Sequence, residues 1–551
     1  MKDFKKSVVY QIYPKSFYDT NGDGFGDLKG ITKKLDYIKE LGVDYIWMTP
    51  FFISPQKDNG YDVANYYEID SRYGTMEDFE ELSKEAKKRG IDLMLDMVFN
   101  HTSDQHEWFQ KALKGDKKYK NFYIFKKGKP DGSAPTNWES KFGGSAWEYV
   151  PEMDEYYLHL FDVSQPDLNW ENEEVRQEVQ KVIRFWMSKG VKGFRFDVIN
   201  LISKGEFIDD NEGDGRRFYT DGPKIHQYLK ELNKQTFGQE EGIITVGEMS
   251  STSMENCFQY AGEDSHELSM VFNFHHLKVD FMGNEKWVLV PADFAKLKQI
   301  LFDWQAGMAK NHAWNAVFWC NHDQPRVVSR FGSEKEYWKQ SAKMLATIIH
   351  CFRGTPYVYQ GEELGMTNAG FTHISQYKDV ESINHFKILQ EKGLTESDAY
   401  RILQIHSRDN SRTPMQWEVA QHGGFTAGTP WIEVNKNYST INAKQQLEDK
   451  DSIFHYYKQL IALRKQYDVI AYGDFKEIDR ENRSVIAYER NYQNETLLVI
   501  SNFYGKEISW TSPRAVSSYK KLLGNYESML VSEEKIVTLR PYEAMILYKC
   551  N

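Results

Sequence analysis

Four short segments place carboxylates, imidazoles and one guanidinium directly after apolar runs. They are Asp96-Met-Val-Phe-Asn100-His101, Gly193-Phe-Arg195-Phe-Asp197, Val246-Gly-Glu248 and Asn321-His322-Asp323. Cleaving a glycosidic bond takes two carboxyl groups, one to protonate the leaving oxygen and one to attack or to activate water. Asp197 and Glu248, on neighbouring strands, would stand within the range of a retaining pair, about 5–5.5 Å. Arg195 lies two residues from Asp197, on the same strand face, and would keep that carboxylate ionised. Glu248, as the acid, needs a raised pKa, which a crowded acidic cleft supplies. A strand-capping ion pair explains any one of these residues but not all of them at one face.

What must position them is a series of strands alternating with helices. Apolar or β-branched runs at Val8–Tyr13, Tyr45–Met48, Asp92–Phe99, Gly193–Val198, Ile243–Gly247, Met270–Phe274, Ala316–Cys320 and Pro356–Tyr359 read as strands. Amphipathic stretches at Ile31–Leu41, Met76–Arg89, Glu173–Ser188, Pro223–Phe237, Phe294–Met308 and Ser341–Phe352 read as helices. Eight such units predict an α/β chain built as a (β/α)8 barrel, whose strand C-termini face the active site. A doubly wound sheet is the alternative, but no G-x-G-x-x-G turn follows the first strand.

The alternation breaks between His101 and Trp170, a stretch rich in Lys, Gly, Trp and Tyr. It resumes after residue 172 and gives way near residue 470 to strands without helices: Ser484–Tyr488, Thr496–Ser501, Lys535–Leu539 and Met545–Lys549. The expected organisation is a barrel over residues 1–100 and 173–470, a small domain inserted after the third strand over 101–172, and a C-terminal all-β sandwich over 471–551.

Among 551 residues, 69 Lys and Arg stand against 80 Asp and Glu, for a net charge of −11. An acidic chain disfavours a nucleic-acid partner. No apolar run approaches the length of a membrane span, and the N-terminus has no secretory signal pattern. Cys257, Cys320, Cys351 and Cys550 show no C-x-x-C spacing, which suits a reducing cytoplasm. A monomer or weak dimer is expected. The 14 Trp, 34 Tyr and 33 Phe suit sugar platforms and large cores alike.

The four chemistry-bearing segments resemble the four conserved regions of the α-amylase clan of glycoside hydrolases. Gln165-Pro-Asp-Leu-Asn169 is similar to the extra motif of the oligo-1,6-glucosidase subgroup, and the resemblance covers essentially the whole chain. It implies that Asp197 is a nucleophile forming a glucosyl-enzyme, that Glu248 is the general acid/base, and that Asp323 holds the glucose hydroxyls. It implies that His101, His322 and Arg195 line the non-reducing glucose subsite, which Asp58 and Tyr61 close. Arg408 would reach the same glucose, and Phe142, Phe161 and Gln165 would flank the cleft.

Asp19-x-Asn21-x-Asp23-Gly24-Phe25-x-Asp27 spaces hard oxygen donors on alternate residues, as an EF-hand loop does, but its twelfth position is Gly30 rather than Glu. An Asx/Gly turn without metal is one reading. The loop resembles the structural Ca2+ site of oligo-1,6-glucosidases, with Phe25 giving its carbonyl.

Several segments look like the phospho-α-1,1-glucosidase branch, the trehalose-6-phosphate hydrolases. They are Asn137–Trp147, Gly247-Glu-Met-Ser-Ser251 and His275-His-Leu-Lys-Val-Asp280. The segment after the sixth strand lacks the arginine-rich stretch of sucrose isomerases. The expected substrate is a disaccharide phosphate, with neutral isomaltose-type oligosaccharides as the alternative. A phosphorylated leaving sugar needs local positive charge, which Lys278 and Lys286, with His275 or His276, would supply. Lys141 is a weaker candidate. A non-catalytic binding domain is disfavoured, since Asp197, Glu248 and Asp323 are all present.

Overall fold

The computed structural model describes residues 2–550. Eight strands make the central sheet: β1 (Val9–Ile12), β2 (Tyr45–Met48), β3 (Asp92–Met97), β4 (Gly193–Phe196), β5 (Ile244–Glu248), β6 (Met270–Phe272), β7 (Ala316–Val317) and β8 (Thr355–Tyr359). They pair in parallel in the order β6-β5-β4-β3-β2-β1-β8-β7. A parallel bridge between Val271 and Asn315 joins the two ends of that order, so the sheet closes as a (β/α)8 barrel. Every residue of β1, β2, β4 and β8 is buried, as parallel strands covered on both faces require.

Register does the first part of the positioning. Arg195 of β4 lies opposite Asp96 of β3 and opposite Val246 of β5. Two residues further along, Asp197 and Glu248 come level at the mouth. The strands β3, β4 and β6 each stop two residues sooner than their apolar runs suggested, because the chain turns there to cross the mouth.

Other expected elements differ as well, among them the helix expected at Ser341–Phe352, which runs Trp338–His350. The helix read as Ile31–Leu41 is two helices, Leu28–Lys33 and Leu35–Leu41, broken at Lys34, whose ammonium lies 4.3 Å from the Tyr18 ring centre and 4.1 Å from that of Trp417. The helix read from Pro223 begins at Ile225 and leaves the proline in the preceding turn. The seventh strand pairs only over Ala316–Val317, since the carbonyl of Phe318 is taken by the His276 ring at 2.9 Å instead of by a neighbouring strand.

Between β3 and the helix Glu173–Ser188, three short antiparallel strands (Phe125–Lys126, Trp147–Val150 and Glu155–Leu158) form a small sheet. Its core of Trp138, Trp147, Leu158 and Leu160 is continuous with Val198, Leu201 and Tyr219. The inserted segment therefore packs on the residue that follows Asp197.

At the C-terminus, a five-stranded sheet faces a three-stranded one. Strand alternation divides the labour: Val485 and Ala487 point into the space between these sheets, while Ile486 and Tyr488 join the barrel core. The Tyr488 hydroxyl donates to the carbonyl of Ile348 at 2.8 Å and Arg490 to that of Cys351 at 2.6 Å, fixing the domain to the barrel.

Candidate active site

Arg195 is the hub of the barrel mouth. Its Nη1 donates to Asp96 at 2.6 Å and to Asp197 at 2.8 Å, and its Nη2 bonds Glu248. Its guanidinium lies 5.2 Å from the Trp47 ring centre, and Asp96 also accepts from Trp47 Nε1 at 3.2 Å and from the Tyr61 hydroxyl at 2.8 Å. One buried cation thus faces three carboxylates, an arrangement that leaves negative charge uncompensated. Burial and the neighbouring Glu248 and Asp96 push the Asp197 carboxyl up, against the pull of Arg195. Asp197 and Glu248 thus meet at one guanidinium, close enough for the charge of one to act on the other.

A second cluster closes the pocket beside this hub. Asp62 accepts from the amides of Lys57 and Asp58 and shapes the turn that carries Asp58 and Tyr61. Gln165 Nε2 bridges Asp58 Oδ2 (3.1 Å), the Tyr61 carbonyl (3.2 Å) and His101 Nε2 (3.2 Å). The Tyr61 ring stacks on His322, centres 5.2 Å apart and planes 3° from parallel. Burial pushes His322 down to about 3 and His101 down to about 4, so both rings are neutral near pH 7. Asp323 is the counterpart: although burial opposes it, His322, Arg408 and Arg412 hold its carboxyl well below the usual range. Arg408 reaches Asp58 at 3.2 Å, Asp323 at 3.4 Å and Asp379 at 2.6 Å. Burial raises Asp58 to about 7 despite Arg408 and Arg412.

Asp197, Glu248, Arg195, Asp58, Tyr61, His101, Gln165, His322, Asp323 and Arg408 are thus linked by direct contacts. Phe161 joins them through the His101 ring at 5.1 Å, and Phe142 through the Arg408 guanidinium at 5.2 Å. Arg412 and Asp379 went unrecognised in the sequence, although Arg412 donates to Asp323 at 2.7 Å and to the His322 carbonyl at 2.9 Å. They come from the segment after β8, where no strand end marks a position as functional.

The two lysines expected to meet phosphate sit differently. Lys286 donates to Glu381 at 2.8 Å, and Glu381 lies 3.4 Å from Arg408. Lys278 is half-buried on the segment after β6, and no ion pair or hydrogen bond of its ammonium is found among the described residues. Burial and Arg216 lower its pKa. Burial also holds His275 near 4 and His276 near 3, so neither imidazole carries charge there near pH 7.

The Asp19–Asp27 loop lies apart from these clusters. Asp19 accepts from the amides of Asn21, Gly22 and Gly24, and Asp23 from that of Phe25. Asp27 accepts from those of Thr20 and Gly30, and burial, with Asp19 adding to it, raises its carboxyl. Among the described residues no lysine or arginine pairs with any of these three aspartates. Hard-oxygen donors of this kind are what a divalent cation takes, but each carboxylate here is already met by backbone amides. Their oxygens are turned to backbone amides, and no group of three acidic, His or Cys side chains converges among the described residues.

"Alpha amylase, catalytic domain" matches residues 11–473, and "Alpha-amylase SusG C-terminal domain" matches 485–546. The chain belongs to the α-amylase family. Within that family it is 55% identical to "Trehalose-6-phosphate hydrolase" of Bacillus subtilis (strain 168), over 98% of this chain and 97% of that one. It is 49% identical to "Oligo-1,6-glucosidase" of Bacillus cereus, over 98% of each. The crystal structure of Bacillus licheniformis trehalose-6-phosphate hydrolase superposes with a TM-score of 0.95 at 55% identity, covering 100% of both chains. A family member with this barrel and these strand-end carboxylates is a glycoside hydrolase. No helix among the described residues is long and apolar enough to cross a membrane.

Proposed function

We propose that this protein is a retaining α-glucosidase that hydrolyses trehalose 6-phosphate to glucose and glucose 6-phosphate. The observation that carries this reading is Lys278, a half-buried ammonium at the barrel mouth with no ion-pair partner among the described residues. An unpaired, partly desolvated cation suits an anionic leaving sugar, and the relatives named trehalose-6-phosphate hydrolase support the same substrate.

In this reading Asp197 attacks the anomeric carbon of the terminal glucose while Glu248 gives its proton to the glycosidic oxygen. The C–O bond breaks and glucose 6-phosphate leaves with that proton. Glu248, now a carboxylate, takes a proton from water, whose oxygen displaces Asp197 and frees glucose. Two inversions give retention. Arg195 touches both carboxylates and so offsets the charge that appears as each loses its proton or bond. Ionised Asp323 accepts from the glucose hydroxyls, beside the neutral rings of His322 and His101. Arg408 and Asp58 shut the far end, which favours attack on a terminal sugar.

One observation favours neutral isomaltose-type substrates instead: Lys286 is already satisfied by Glu381 and needs no phosphate. Initial rates on trehalose 6-phosphate, trehalose and isomaltose separate the two readings. The phosphorylated sugar should win, and Lys278→Ala should lose most of that preference. Equal or better use of isomaltose would overturn the phosphate reading and leave the barrel chemistry intact.

The Asp19–Asp27 loop is assigned to a structural Ca2+, held by Asp19, Asn21, Asp23, the Phe25 carbonyl and Asp27, and no step of the reaction runs through it. The four free cysteines, three of them buried, suit a reducing cytoplasm.

A further inference from the structure

We propose that Lys141 and Arg216 complete a three-sided phosphate cradle with Lys278, one cation from each of three separate elements. The proposal rests on the phosphotrehalase reading. Lys141 comes from the inserted domain, Arg216 from the short helix Arg216–Tyr219 that follows β4, and Lys278 from the segment after β6. The Lys141 ammonium donates to Ser250 Oγ at 3.1 Å, two residues past Glu248, and lies 5.6 Å from the Tyr219 ring centre. It has no ion pair among the described residues. Arg216 is engaged by Asp214 at 2.6 Å.

The charges that act on Lys141 are Arg216 and Lys278, which repel it, and Asp214 and Glu248, which attract it. Arg216 also bears on Lys278. Asp214 is already committed to Arg216, and Glu248 to Arg195. Lys141, Arg216 and Lys278 are thus near enough to act on one another, Lys141 stands beside Ser250 and Tyr219, and the nearby carboxylates are already engaged, a balance that a visiting anion improves. A phosphate offers up to two negative charges and three acceptor oxygens to match three donors. The cradle lies next to Glu248, on the inserted-domain and β6 side of the mouth, where the leaving sugar must sit if Asp58 and Arg408 close the glucose side.

Burial, reinforced by Arg216 and Lys278, lowers Lys141 to about 7, so near neutral pH it is only partly charged before substrate arrives. A bound phosphate restores the charge, and binding takes up a proton at Lys141 as pH rises above about 7. The cradle thus makes phosphate recognition weaken with alkalinity, while recognition of a neutral glucoside does not share that dependence.

Steady-state kinetics on trehalose 6-phosphate and p-nitrophenyl α-glucoside test this with Lys141→Met, Lys141→Arg and Arg216→Gln, each checked for fold by circular dichroism. Lys141→Met and Arg216→Gln should each raise KM for the phosphorylated sugar about tenfold, the loss of one charge-assisted contact. The ratio of kcat/KM between the two substrates should fall with it. Lys141→Arg, charged at every working pH, should keep most of the ratio and flatten its alkaline decline. If the wild type prefers trehalose 6-phosphate while Lys141→Met and Arg216→Gln keep the ratio within about twofold, the cradle is overturned and the phosphate reading stands. If the wild type shows no preference for the phosphorylated sugar, the reading and the cradle fall together.

Discussion

The backbone amide of Val198 points at Oε2 of Glu248 from 3.4 Å, and Val198 itself holds a left-handed φ of 36°. A β-branched residue rarely adopts that conformation, and strain of this kind persists only where the surroundings over-determine it. Here the inserted domain supplies the clamp, because Val198 is buried in its core with Trp138 and Leu158. The turn after β4 therefore fixes Asp197 against Glu248 at the expense of local strain. Val198→Gly removes both the strain and the clamp. We expect kcat on trehalose 6-phosphate to fall about 10–100-fold, the usual consequence of loosening a reacting pair, with KM changed little. A kcat equal to wild type would show that the strained turn positions nothing.

Glu248→Gln separates the two half-reactions. Removing a general acid costs about 10²–10⁴-fold where the leaving oxygen must be protonated. Glucose 6-phosphate is such a leaving group, whereas p-nitrophenolate departs without a proton. The variant should therefore lose far more kcat/KM, which reports the first half-reaction, on trehalose 6-phosphate than on p-nitrophenyl α-glucoside. Asp197→Asn should lose both. NMR of the first-formed sugar should show α-glucose, and initial β-glucose would refute the two-step mechanism.

The barrel and most of its mouth were legible because the chemistry sits on strand ends. Each buried parallel strand writes an uninterrupted apolar run, and the polar residues that follow it, such as Arg195 and Asp197, stand out against that run. Arg412 and Asp379 have no such background: they follow β8 among helices and turns, and only the closed fold brings them to Asp323 and Arg408. The C-terminal strands divide the same way. Val485–Tyr492 and Glu495–Asn502 are buried on both faces and were readable, while Lys476–Ile478, Lys520–Gly524 and Leu530–Glu533 are partly exposed and too polar to show. The break at Lys34 was hidden because apolar periodicity continues across it. Arg216 was missed because its partner cations come from segments distant in sequence.

The Asp19–Asp27 loop gives a prediction independent of catalysis. With Ca2+ bound, Asp19, Asp23 and Asp27 would exchange amide donors for the ion, and a ligand that binds only the folded state raises its melting temperature with concentration. Chelation with EGTA should lower the melting temperature and added Ca2+ should restore it, with the kinetic constants of the folded enzyme little altered. Asp23→Asn should blunt the response. A melting temperature indifferent to EGTA would return the loop to an Asx/Gly turn that needs no ion.

Glu362, just beyond β8, offers a pH test away from the reacting groups. Its carboxyl is buried, Oε1 accepts from the Tyr457 hydroxyl at 2.8 Å, and Oε2 has no hydrogen-bond partner among the described residues. Burial, with Glu363 adding to it, pushes it up from 4.5 to about 8. A carboxyl raised in the folded state favours folding fully below its unfolded pKa, and that contribution is lost as pH rises through the folded value. The loss should therefore run from about pH 4.5 to beyond about pH 8. Glu362→Gln keeps the shape and the Tyr457 contact but cannot ionise. Its melting temperature, measured against wild type by calorimetry, should gain a few degrees as pH rises from about 5 to about 9. A difference that stays flat across that range would mean that Glu362 is already ionised in the fold and that some other group compensates its charge.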